Sequence, residues 1–100
     1  MKNIILIASG PFLKRDYERF DIKILKKFFS IRILDLTPWL FPSLWELYSK
    51  QVYRCEEYTA INSKKDFSNS ISKINAPIVI DHLLLTNKKT YWARQQLKIK

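Results

Sequence analysis

Asn3-Ile4-Ile5-Leu6-Ile7-Ala8-Ser9-Gly10-Pro11 is the stretch on which the fold turns. Residues 3–8 form a short, nearly continuous apolar run, rich in Ile, and Gly10-Pro11 ends it. That length and composition predict a strand buried on both faces, as in a parallel sheet. The run is short for a signal-peptide core, and no small-x-small cleavage site precedes Lys14-Arg15-Asp16.

Downstream the hydrophobic period changes. Tyr17, Phe20, Ile24 and Phe28 recur at spacings of three and four, which predicts one amphipathic helix over roughly Asp16 to Phe29. Ile31-Arg32-Ile33-Leu34-Asp35-Leu36 reads as a second strand, closed by Thr37-Pro38. Ser43-Leu44-Trp45-Glu46 matches a capping box, so a helix is expected from there to about Gln51. Residues 52–61 are open between a frayed helical end and a short third strand around Glu57 to Ile61. Ser63-Lys64-Lys65-Asp66 carries a second capping signal, followed by Phe67, Ile71 and Ile74 on one helical face. Pro77 introduces the strand Ile78-Val79-Ile80, which ends at Asp81-His82, and Leu83 to Leu85 prolong the apolar run. Thr86 or Asn87 then caps a last helix through Tyr91, Trp92 and Leu97. Alternating strands and helices predict an α/β domain over residues 1–100. Its three to four strands form a mostly parallel sheet with helices on both faces, in three layers.

Composition narrows the function. The chain has 100 residues, 47% of them hydrophobic, with 18 Lys+Arg against 9 Asp+Glu. That apolar content excludes a disordered basic tail. One Cys and one His cannot build a structural zinc site, and one Cys cannot close an internal disulfide. No metal and no cofactor is therefore expected. With a single glycine, neither G-x-G-x-x-G nor the Walker loop can be built. The run from Phe28 to Tyr48 is interrupted by Arg32, Asp35, Pro38, Pro42 and Glu46, against the roughly 20 uncharged residues a membrane span needs. Trp39, Leu40, Phe41 and Trp45 have two readings. They could form a peripheral membrane contact beside basic residues, or they could belong to the core or to a docking patch.

In an open parallel sheet, ligands bind outside the carboxyl ends of the strands, where the strand order reverses. Those ends supply the candidate substrate-binding set Ser9, Gly10, Pro11, Phe12, Asp35, Thr37, Asp81 and His82. Gly10 suits a close backbone approach, or simply a strand-ending turn. Asp35 lies where dinucleotide-binding folds place a ribose-binding acid, and equally where an Asp caps a turn. His82 beside Asp81 could serve as a base or hold a substrate hydroxyl, and it also reads as a structural residue. Cys55 reads as half-buried and inert. Residues 71–100 hold six basic side chains against Asp81 alone. With Tyr91 and Trp92 they offer a nucleic-acid, membrane or phosphate-facing surface, or a plain solvated helix face.

Ala8-Ser9-Gly10-Pro11-Phe12 with Lys14-Arg15-Asp16-Tyr17-Glu18-Arg19-Phe20 is similar to the start of bacterial surface-polysaccharide biosynthesis proteins. With Asp35-Leu36-Thr37-Pro38 and Ile78-Val79-Ile80-Asp81, it resembles the N-terminal Rossmann-like half of glycosyltransferases of the two-domain GT-B type. The resemblance implies sugar transfer from a nucleotide-sugar donor to a glycan or lipid-linked acceptor. The setting it implies is cytoplasmic, peripheral at the inner face of the plasma membrane. It also implies that this half holds the acceptor, that a C-terminal donor domain or partner chain completes it, and that the chain is inactive alone. No catalytic residue is assigned. The alternative expectation is a small basic nucleic-acid-binding or interaction module, with nucleic acid ranked below a glycan acceptor.

Overall fold

The computed structural model describes residues 1–83 and 86–100. The predicted first strand is β1 (Lys2–Ala8), whose five C-terminal residues are buried. After the Gly10 turn come two short helices, α1 (Lys14–Arg19) and α2 (Ile22–Leu25), and then β2 (Phe29–Asp35). Helices α3 (Thr37–Leu40) and α4 (Pro42–Tyr48) follow, then a 3₁₀ turn, Ser49–Gln51. The remaining elements are β3 (Tyr58–Ala60), α5 (Lys64–Ile71), β4 (Ile78–His82) and α6 (Lys88–Lys98). Of the apolar run after β4, Leu84 and Leu85 lie outside the described residues.

The sheet has four strands in the order β3-β2-β1-β4, all parallel. The α/β, Rossmann-like reading therefore holds, and the ambiguous segment around Glu57 to Ile61 is a strand. Two cores lie on opposite faces. Ile5, Ile7, Leu34 and Leu36 face Phe67 and Ile71 of α5 and Ala93 and Leu97 of α6. Ile4, Leu6, Ile31 and Ile33 face Phe12 and Ile22. The alternation arises because neighbouring residues of a strand point to opposite sides, and the parallel register pairs Ile4 with Ile31 and Ile7 with Leu34. Arg32, on the α5 side, donates to the Ser70 carbonyl oxygen at 3.0 Å.

Two expectations need correction. The single helix over Asp16 to Phe29 is broken at Asp21, whose backbone is left-handed at φ 53°, ψ 37°. Asp is among the non-glycine residues that visit that conformation most readily. The break shifts the helical phase, so Ile22 is buried at 1% while Ile24 and Phe28, both on the expected stripe, are 56% and 67% exposed. At Ser43 the expected box does not form. Pro42 occupies the first turn of α4 and Phe41 precedes it with no side-chain cap. Proline's fixed φ and missing N–H suit a helix start and displace the serine from the capping position. The other capping signals hold. Ser63 Oγ accepts from Asp66 N at 3.1 Å. Asn87 and Thr90 cap α6 reciprocally at 3.0 and 2.8 Å.

The phase shift makes a direct prediction. Ile22→Ala should cost about 2–5 kcal/mol in urea unfolding, the range for a buried Ile. Ile24→Ala should stay within about 0.5 kcal/mol. A continuous helix with the expected stripe would make Ile24 the costlier site.

Candidate functional site

Strand order reverses between β1 and β4, so the carboxyl ends of these two strands flank the switch point. A cleft of about 260 Å³ opens there, lined by Ser9, Gly10, Pro11, Phe12, Arg15, Asp16, Arg19 and His82 together with Ala8. Gly10 turns the chain out of β1 at φ 91°. That region is open to glycine and costly for residues with a Cβ, and the bare Cα keeps the cleft clear.

Arg19 Nη2 lies 3.1 Å from Asp16 Oδ1 and 3.2 Å from His82 Nε2. Guanidinium has donors alone, so as a hydrogen bond this contact runs from Arg19 to His82 Nε2. The His82 ring meets Phe20 edge-on at 5.3 Å. Asp16 is anchored in turn, since its Oδ2 accepts from Leu13 N at 2.9 Å. The resulting rim is net basic, with Arg15 and Arg19 against Asp16. It can hold an anionic or hydroxyl-rich ligand against the Gly10 backbone. Arg15 and Arg19 were missed as site residues by sequence reasoning. Their position, five and nine residues past the Gly10 turn and on the helix that follows it, was the available signal.

Asp35 and Thr37 sit elsewhere. Both are fully buried. One Asp35 oxygen accepts from Thr37 N at 3.0 Å and from the Thr37 hydroxyl. The other accepts from Tyr58 Oη at 2.7 Å, and the Phe12 amide adds a weaker favourable influence on the carboxylate charge. Asp35 therefore caps its own turn and ties it to β3, with no side open to a ligand. Burial raises its pKa above the usual carboxylate value against the opposing pull of these donors. Burial, then the Asp35 hydrogen bond, pushes the Tyr58 hydroxyl far up as well.

Asp81 lies on the opposite face of β4 from His82. Its Oδ2 is 2.6 Å from Arg94 Nε, and Oδ1 accepts from Leu83 N at 3.0 Å. Burial works against the charge, but Arg94 and the Leu83 amide outweigh it and hold the pKa low. Asp81 is thus brought to α6 and not to His82. Cys55 is half-buried, and burial followed by the nearby Glu57 raises its thiol pKa, which keeps it protonated and a poor nucleophile. Trp39 and Leu40 pack against the α5/α6 core. No helix among the described residues is long and apolar enough to cross a membrane. No cluster of potential metal ligands occurs among the described residues. No family model, curated protein or solved structure matches the chain.

Asp35 has a raised folded pKa, so the folded protein binds its proton more readily than the unfolded chain does. Its contribution to stability should fall as pH climbs from the ordinary carboxylate range towards that raised value. Urea unfolding between pH 4 and 7 (a range of about 3 pH units, spanning the usual Asp value) should show this slope, and Asp35→Asn should flatten it. Asp35→Ala leaves the Tyr58 and Thr37 donors unmet, at about 1–3 kcal/mol for each buried group. Its unfolding midpoint should therefore drop sharply.

Proposed function

We propose that this chain is the acceptor-side unit of a two-domain sugar-transfer enzyme of bacterial surface-polysaccharide synthesis, and that it is inactive without a donor-binding partner. The cleft at the β1/β4 switch point receives the acceptor. Arg15 and Arg19 meet its phosphate, and Ser9, the Gly10 backbone and His82 meet its hydroxyl groups.

One observation carries this reading. A net-basic cleft stands at the position where parallel sheets take their ligands, over the one glycine in the chain. The resemblance of Ala8–Phe12 and Lys14–Phe20 to polysaccharide-synthesis proteins supplies the substrate class. A glycan phosphate offers the pair of features the cleft can recognise: an anion for the guanidinium groups and sugar hydroxyls for His82 and the backbone. Once a second domain closes over this edge, water leaves the cleft and these contacts strengthen.

Titration of the ¹⁵N-labelled protein with glucose 1-phosphate, and with a short-prenyl diphosphate-linked N-acetylhexosamine, tests the assignment. Amide signals of Ser9, Gly10, Arg19 and His82 should move together. Arg19→Gln should weaken binding by about tenfold, the loss of one charge-assisted contact. Shifts confined to other residues, or no saturable shift with either probe, would remove the proposal.

A further inference from the structure

A second basic feature lies on the same edge of the sheet, outside the switch-point cleft. Trp39 of α3 and Trp92 of α6 meet edge to face at 6.1 Å, with an interplanar angle of 88°. Between and beside them is a recess of about 170 Å³, lined by these two rings and by Lys64, Lys88 and Lys89. Lys64 Nζ stands 4.5 Å from the Trp92 ring centroid, and Lys89 Nζ stands 5.8 Å from that of Trp39. Lys89 Nζ also donates to the Trp39 carbonyl oxygen at 3.3 Å.

The charge in this recess is uncompensated. The ion pairs of the described residues are Arg19–Asp16 and Arg94–Asp81, so none of these three lysines is paired with a carboxylate. Cation–π contact holds an ammonium in place but does not neutralise it. Nor does helix stability account for the lysines. They stand in the first turns of α5 and α6, where the backbone dipole opposes positive charge. Three like charges drawn together against two aromatic walls call for a multiply charged anion. A lone carboxylate would leave most of that charge unmatched. Ammonium groups act as point charges and are well suited to phosphate oxygens.

We propose that the recess between Trp39 and Trp92, rimmed by Lys64, Lys88 and Lys89, is a binding site for a phosphate or diphosphate group. The group sits between the ammonium groups, with the indoles shielding it on one side. This site does not rest on the acceptor reading, because it shares no residue with the switch-point cleft.

Tryptophan emission reports on it directly. In a Trp45→Phe protein, Trp39 and Trp92 are the remaining tryptophans. Titration with inorganic pyrophosphate at low ionic strength should give a saturable change in emission, weakened by added salt. Lys64→Gln with Lys89→Gln should weaken binding by at least about tenfold, since two charge-assisted contacts are removed. Lys23→Gln with Lys27→Gln removes the same charge elsewhere and should leave binding unchanged. Vesicles containing phosphatidylglycerol form a second arm. A response to vesicles alone that needs Lys64 and Lys89 supports the site and assigns the phosphate to a lipid headgroup. Equal weakening by both lysine pairs, or no response to pyrophosphate or vesicles, overturns the proposal. Circular dichroism confirms that the variants fold, and the Lys64 and Thr90 amide shifts give an independent readout.

Discussion

A buried carboxylate has to be surrounded by donors, and this requirement organises the carboxyl edge of the sheet. Asp35 closes β2, and its two oxygens accept from two separate stretches of chain. Thr37 N and Oγ1 come from the turn that follows and Tyr58 Oη from β3, while the Phe12 amide in the loop after β1 adds a weaker favourable influence on the charge. Desolvation makes each of those donors hard to lose. Phe12 is itself fixed from the other side, because its carbonyl oxygen accepts from Tyr53 N at 2.9 Å. The loop carrying Ser9, Gly10 and Pro11 is therefore held at both ends, by β1 and by this network. Asp35 shapes the cleft while standing outside it.

Topology does the rest. The chain moves outward from β1 to β2 to β3 and then returns across β1 to β4. The helices of the outward and return crossovers must occupy opposite faces if each is right-handed. The loops after β1 and β4 consequently diverge and leave an opening between them. The residues beside that opening are set by strand parity. His82 follows Ala8 in register and points to the α1 side, where Phe20 and Arg19 meet it. Asp81, one residue earlier, points to α6 and is taken up by Arg94. Adjacent residues in sequence thus serve opposite faces of the sheet, and no Asp–His pair forms.

That parity explains which features could be read from the residues alone. Strand existence was legible because Ile4–Ala8 and Ile31–Leu36 are too apolar to be exposed and too short to be helices. The caps at Ser63 and Asn87 were legible because they depend on contacts three residues away. Gly10 and His82 could be placed at one cleft because both follow parallel strands. The break at Asp21 was hidden, since a single left-handed residue leaves no periodic trace and Tyr17 through Phe28 still match a helical stripe. The burial of Asp35 was hidden too. Its partners Phe12 and Tyr58 lie 23 residues away on each side, and nothing local marks them. Nothing local marks Arg15 and Arg19 either, because it is the return of β4 that brings His82 against Arg19 and completes the cleft they line.

The net charge of +9 gains a location from this arrangement. Arg15 and Arg19 line one recess at the carboxyl edge, and Lys64, Lys88 and Lys89 line another. Away from these recesses, Arg94 pairs with Asp81 and Arg32 donates to the Ser70 carbonyl oxygen. A field concentrated on one edge draws an anion towards that edge before any specific contact forms. The two recesses then differ in what they can hold. Guanidinium groups beside a bare glycine backbone and an imidazole discriminate by geometry, because a planar fork and a ring nitrogen each fix a direction. Ammonium groups around indole rings discriminate mainly by charge. On the two proposals above, one edge of a single small sheet would divide recognition of a shaped ligand from retention of a phosphate.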